Sequence, residues 1–154
     1  MNGISNGNVL QGRTAIVTGA SQGLGRAIAM QYVAAGASVI ICARDEWMLS
    51  EAADVLKRSA SNDQVISHIV ADVAESEAVD ALIDFAIDKM GRIDILVNNA
   101  GIYGPKGPID SVDWARWVQA INVNLLGSVL MLSLIHISEP TRPRLISYAV
   151  FCLK

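Results

Sequence analysis

The stretch Thr18-Gly19-Ala20-Ser21-Gln22-Gly23-Leu24-Gly25 constrains the fold of this chain more than any other. It follows the apolar run Ala15-Ile16-Val17 and precedes the helix-forming run Arg26-Ala27-Ile28-Ala29-Met30. A strand that turns through glycines into a helix presents unpartnered N–H groups and a positive dipole end, which suits a phosphate. Glycine permits the tight turn and lets the backbone approach phosphates with no Cβ in between. Taken alone, the same loop would equally serve as an ordinary turn or helix cap, so the rest of the chain has to decide.

From residue 14 to about residue 100 the pattern alternates strand and helix, which argues for a parallel sheet. Ala15 to Thr18 reads as strand one and Leu24 to Ala35 as the first helix. Val39-Ile40-Ile41-Cys42 is a continuous apolar run, as expected of a strand covered on both faces. Leu49, Ala52, Ala53 and Leu56 recur at helical spacing, and Val65 to Val70 reads as strand three. Val79, Leu82, Ile83, Ala86 and Met90 trace another apolar helix face before strand four, Ile93 to Val97. Three right-handed crossovers in series give the strand order 3-2-1-4. The expected fold class is therefore α/β, a Rossmann-type doubly wound parallel sheet. It sets the loops after strands one and four side by side, so the glycine loop and Asn98-Asn99-Ala100-Gly101 face one crevice.

Length and composition agree. A chain of 154 residues, 52% hydrophobic and 18% charged, suits one packed domain. A net charge of −3 gives no electrostatic reason to expect nucleic acid or an anionic membrane as partner. Cys42 and Cys152 are too few and too separated for a disulfide framework, and with His68 and His136 they form no metal-ligand spacing, so no metal is expected. Met1 to Gly12 does not read as a secretory leader, and the apolar stretches read as shorter than a membrane span. A reduced, cytoplasmic setting follows as the expectation.

With both loops in hand, the chain resembles the short-chain dehydrogenase/reductase family over about residues 10 to 131. Thr18, Gly19, Gly23 and Gly25 fit the family's Thr-Gly-x-x-x-Gly-x-Gly loop, which implies cofactor-binding roles through Thr18, Gly19, Ser21, Gln22, Gly23, Leu24 and Gly25. Asp72, with Val73, fits the acidic position placed against an adenine ring. Asn98 to Gly101 fits the Asn-Asn-Ala-Gly signature, implying cofactor contacts at Asn99, Ala100 and Gly101. Asn124, within Asn-Leu-x-Gly, fits the helix asparagine of the family's proton relay. The resemblance implies hydride exchange between a nicotinamide cofactor and a small carbonyl or alcohol, in a homo-oligomer. Each residue also has a structural reading. Thr18 would cap the turn, Asn98 would tie strand four to its neighbour, Asp72 would face solvent, and Asn122 competes with Asn124.

Cofactor choice is read at the end of strand two. An acidic side chain there would bind the ribose hydroxyls of NAD; this chain has Ala43 followed by Arg44. A guanidinium grips a 2′-phosphate through paired donors, so NADP is favoured over NAD, with Asp45 as the residue that speaks for NAD. Trp114, Trp117 and Ile121 lie at helical spacing and read as a core or subunit-contact stripe.

The resemblance stops where the family's serine and Tyr-x-x-x-Lys should follow. In that pair a lysine lowers the tyrosine pKa from about 10. Here Tyr32, Tyr103 and Tyr148 are followed four residues later by Gly36, Gly107 and Cys152. Leu132 to Arg142 and Ile146 to Leu153 read, in one frame, as two blocks of a translated transposase sequencing adapter, with Pro143-Arg144-Leu145 filling the room of a sample index. The expected organisation is an incomplete nucleotide-binding domain over 1–131 and a non-native tail over 132–154. A natural tail with an accidental match is the competing reading. A sheet cut there leaves strand four as an open edge, and the chain as written is expected to lack dehydrogenase activity. A nucleotide-binding module without chemistry, or an interaction domain reusing the fold, are the other function classes.

Overall fold

The computed structural model describes residues 8–138, and the side chains of 8–134. Four strands form one parallel sheet in the order β3-β2-β1-β4, as expected: β1 Thr14–Thr18, β2 Ser38–Ala43, β3 Ile66–Val70 and β4 Ile95–Val97. The helices between them are α1 Gly23–Ala34, α2 Glu46–Ser59 and α3 Ser76–Met90. After β4 come α4 Trp114–Ile121, a π-helical turn Asn122–Leu126, and α5 Gly127–Ser138.

The period-2 alternation of the central strands makes the fold doubly wound. Ala15, Val17, Val39 and Ile41 point to one face, where Ala29 and Val33 of α1 and Leu49, Ala52, Ala53 and Leu56 of α2 cover them. Ile16, Ile40 and Cys42 point to the other, against Val79, Leu82, Ile83 and Ala86 of α3 and Met131 of α5. These strand residues are inaccessible to solvent, which is why β1 and β2 read as unbroken apolar runs.

The amino ends of β1 and β4 are pinned by one carboxylate. Thr14 N donates to Asp94 Oδ2 at 3.0 Å, Arg13 Nη1 lies 3.3 Å from Asp94 Oδ1, and the Arg92 guanidinium also pairs with Asp94. Thr14 Oγ1 donates to Arg92 O at 2.7 Å. Strand four therefore begins at Ile95, two residues later than its apolar pattern suggests.

Trp114, Trp117 and Ile121, read as a core or subunit-contact stripe, are all exposed, Trp114 at 76%, which leaves the contact reading. One expectation needs correction: not all apolar stretches fall short of a membrane span. Trp114–Leu134 runs as one 21-residue helical stretch long and apolar enough to cross a membrane. The π turn joins α4 and α5 into this one stretch, and core helices of soluble proteins meet the same measure of length and composition. Helix α5 continues through Ser138, into the segment read as a tail; residues 139–154 lie outside the described residues.

Candidate active site

At the carboxyl ends of the strands lies a crevice of about 470 Å³. It is lined by Gly19, Ser21, Gln22, Gly23 and Leu24 from the first turn, and by Cys42 to Asp45 and Met48 after β2. Ala71, Asp72 and Val73 follow from β3, then Asn99 to Ile102 from β4, and Val123 from the π turn. Open α/β sheets bind ligands at this place, where the connections leave in opposite directions.

The glycine turn is built for a close approach. Gly19 adopts φ 63°, and a Cβ there would meet Ala100 Cα at 2.7 Å. Gly23 adopts φ 60° with nothing within 4 Å of a built Cβ, so the turn opens onto free space at the crevice. Gly25 lies within α1, where a Cβ would come within 2.4 Å of Asn99 Nδ2 and 2.6 Å of Gly19 O. The N-cap residue Gln22 makes no side-chain cap, and the first turn of α1 carries no acidic residue. Its leading N–H groups and dipole are therefore left for an anion.

The β4 loop is sewn to that turn. Thr18 Oγ1 donates to Val97 O at 3.2 Å and accepts from Asn99 N and Ala100 N, both at 3.0 Å. Asn99 Nδ2 donates to Thr18 O at 2.9 Å and Gly19 O at 3.0 Å. Asn99 Oδ1 is buried with no hydrogen-bond partner among the described residues. A buried orphan acceptor beside a crevice calls for a donor from water or ligand.

The Asn98 side chain reaches past the sheet. Its Nδ2 donates to Ser128 O at 3.3 Å, anchoring β4 to α5, and the inter-strand tie falls to Thr18 and Asn99. Asn124 holds the following loop at both ends of its amide: Ile102 N donates to Oδ1 and Nδ2 donates to Ile102 O, each at 2.9 Å. A Cβ on Gly127 would strike Val73 O at 2.7 Å, so this glycine lets the π turn and α5 approach the loop after β3.

At the other end of the crevice Arg44 Nη1 lies 3.7 Å from Asp72 Oδ2. Asp45 is turned to its own helix, where Oδ1 accepts Met48 N at 2.9 Å as the N-cap of α2. Cys42 forms part of the wall; burial pushes its thiol up to about 12, against a smaller opposing effect from the Gly19 backbone. That thiol is held neutral and unsuited to nucleophilic work.

Of the residues singled out from sequence, Gly19, Ser21, Gln22, Gly23, Leu24, Arg44, Asp72, Val73, Asn99, Ala100 and Gly101 meet around this one crevice. Thr18, Gly25 and Asn124 do not line it; they hold what does. The sequence reading passed over Met48 and Val123. Met48 was within reach, since it sits one turn into the helix that Asp45 caps.

Fold and crevice together define a Rossmann-like α/β protein in which the loops after β1 and β4 converge on one crevice. The chain belongs to the short-chain dehydrogenase family: residues 13–137 match the model for "short chain dehydrogenase". It is 40% identical over 118 residues to the short chain dehydrogenase/reductase astE of Aspergillus oryzae, covering 77% of this chain and 44% of that protein. It is 37% identical, again over 118 residues, to the short chain dehydrogenase/reductase dpmpG of Macrophomina phaseolina, covering 77% of this chain and 66% of that one. Among solved structures, a short-chain type dehydrogenase/reductase from Mycobacterium ulcerans superposes with a TM-score of 0.79 at 30% identity, over 83% of this chain and 46% of that one. A short chain dehydrogenase from Mycobacterium smegmatis gives 0.76 at 34%, over 82% and 52%. The chain thus spans about half the length of most of the relatives it matches.

Proposed function

We propose that this chain is the cofactor-binding half of an NADP(H)-preferring oxidoreductase acting on a small carbonyl or alcohol. The observation that carries the reading is the convergence of the uncapped α1 turn and the Asn99–Gly101 loop on a single crevice, joined by the Asn99 side chain. The residues present fit a dinucleotide. Gly19, Gly23 and the free α1 N-terminus suit a pyrophosphate; Asp72 and Val73 suit an adenine; Asn99, Ala100 and Gly101 border the opposite end, with Asn99 Oδ1 in want of a donor. Thr18, Gly25 and Asn124 position these groups. Bound there, a nicotinamide supplies or accepts hydride at the substrate carbon.

The preference for NADP(H) over NAD(H) rests on Ala43 and Arg44. No carboxylate ends β2, Arg44 offers paired donors to a 2′-phosphate, and Asp45 has one oxygen committed to capping α2. Asn124 is the relay asparagine of this reading, acting through the loop it holds. The chain as written contains no Tyr-x-x-x-Lys to supply a proton, which favours a second reading of nucleotide binding without chemistry for these 154 residues. On either reading the setting is cytoplasmic, nucleic acid and membrane are not partners, and the exposed α4 face joins a second copy. Residues 132–154 are the non-native tail of the same proposal.

The test is a fluorescence titration of the purified chain with NADPH and NADH, together with reading the source gene past the codon for Met131. Saturable NADPH binding is the expected result, and a folded chain that binds neither dinucleotide overturns the proposal. A downstream serine and Tyr-x-x-x-Lys select the reductase; their absence selects the non-catalytic module.

A further inference from the structure

Sheet register brings Arg44 and Asp72 together. β2 and β3 run parallel with Ala43 opposite Val70, and Ala71 N donates to Ala43 O at 3.1 Å, extending the pairing one step past the strands. The next residues, Arg44 and Asp72, leave the same edge and both line the crevice. Asp72 Oδ1 accepts Ala74 N at 3.0 Å, closing a short turn. Its other oxygen, Oδ2, is the one that lies 3.7 Å from Arg44 Nη1. That separation is too long for a hydrogen bond and fits a loose ion pair. The two side chains keep 55% and 33% of their surface exposed, so water competes and the pair is easily opened.

We propose that Asp72 restrains Arg44 and so lowers the site's discrimination in favour of a 2′-phosphorylated dinucleotide. This rests on the dinucleotide reading of the crevice and concerns how one of its cations is shared. The carboxylate draws the guanidinium toward the loop after β3 and partly neutralises it. The selectivity usually ascribed to the cation alone therefore belongs to the Arg44–Asp72 pair. Contacts that Asp72 makes to an adenine are common to both dinucleotides and cancel in the ratio of their affinities.

The experiment is calorimetric titration of NADP⁺ and NAD⁺ into the full chain, comparing wild type, Asp72→Asn, Arg44→Ala and the double variant. Asn keeps an Oδ1 acceptor for Ala74 N, so the turn is retained; Asp72→Ser also keeps an acceptor and serves as a second variant. The expected result is a rise of about threefold in Kd(NAD⁺)/Kd(NADP⁺) for Asp72→Asn, of the size an exposed ion pair supports. The same substitution leaves that ratio unchanged in the Arg44→Ala background. An unchanged or lowered ratio, or a rise that persists without Arg44, overturns the inference while leaving the dinucleotide reading intact. A folded wild-type chain that binds neither dinucleotide brings down the underlying reading and this inference with it.

Discussion

Asn99 Nδ2 stands within hydrogen-bond distance of two consecutive carbonyls, Thr18 O at 2.9 Å and Gly19 O at 3.0 Å. A side chain from the β4 loop thus fixes the peptide units that open the glycine turn. Carbonyls held this way cannot swing into the crevice. The shape of the glycine turn is therefore a property of two loops distant in sequence.

Replacing Asn99 with Leu removes both bonds and leaves two carbonyls short of a donor. Losing a buried hydrogen-bond donor costs about 1–3 kcal/mol of stability. Nucleotide affinity should fall about tenfold beyond that, because the turn is no longer held. Urea denaturation and NADPH titration read the two effects separately. Unchanged affinity in a folded Asn99→Leu variant would mean that the turn shapes itself.

Gly25 and Gly23 should respond differently to the same added methyl. At Gly25 the Cβ meets Asn99 Nδ2 and Gly19 O inside 2.7 Å, so Gly25→Ala must push the two loops apart. Overpacking of this kind costs about 1–3 kcal/mol. At Gly23 the Cβ meets nothing, and the cost is the left-handed backbone alone, about 1 kcal/mol. Gly25→Ala should lower stability and nucleotide binding together. Gly23→Ala should mainly weaken binding, since its methyl faces open crevice. Equal melting losses in the two variants would contradict this assignment.

Asp94 and Cys42 each give the fold's stability a pH dependence. Burial pushes the Asp94 carboxyl up, but hydrogen bonds from Arg92 and Thr14 and the Arg92 charge outweigh it, holding the group below the usual carboxylate range. A carboxylate with a depressed pKa stabilises the fold above its unfolded value, near 4, and that contribution is lost as pH falls through the folded value. Asp94→Asn should therefore flatten the loss of stability in acid, as measured by denaturation at pH 7 and pH 3. Cys42 works from the other side. Its thiol is raised to about 12 by burial, so its contribution is complete below the unfolded pKa, near 9, and is lost as pH rises toward 12. Cys42→Ala should remove that alkaline decline. In the native protein at pH 8, mass spectrometry should find Cys42 unalkylated, and labelled only after unfolding; native-state labelling would argue against the buried wall position.

Much of this was legible in the sequence, for physical reasons that differ by element. The buried strands β1 and β2 read as apolar runs because both faces are covered, and Leu49, Ala52, Ala53 and Leu56 read as a helix face because all four are fully buried. Once three strand–helix–strand crossovers were in order, the Rossmann arrangement supplied 3-2-1-4. The π turn at Asn122–Leu126 was not legible, since one extra residue in a helical ladder leaves no compositional mark. Pairwise roles were also hidden. Nothing in the string Asn98-Asn99 says that the first side chain reaches α5 and the second the glycine turn. The spacing of the Trp114 stripe left core and subunit contact both open, because an apolar face that awaits a partner and one that faces a core have the same spacing.

That stripe supports the last prediction. Trp114, Trp117, Ile121, Leu125 and Val129 recur at three- and four-residue steps along α4, the π turn and α5, and all are exposed. Between Trp114 and Leu134 there is no acidic residue, and Arg116 is the one charged residue. A contiguous apolar surface of this kind drives association in water. Sedimentation should therefore find the chain above its 16.4 kDa monomer mass. Ile121→Glu combined with Leu125→Glu should shift it toward monomer, because two charges on the face must lose hydration on association. Neither side chain belongs to the buried clusters, so the melting transition should move little once dilution is accounted for. A wild-type chain that sediments as a monomer would show that this face is tolerated in water on its own.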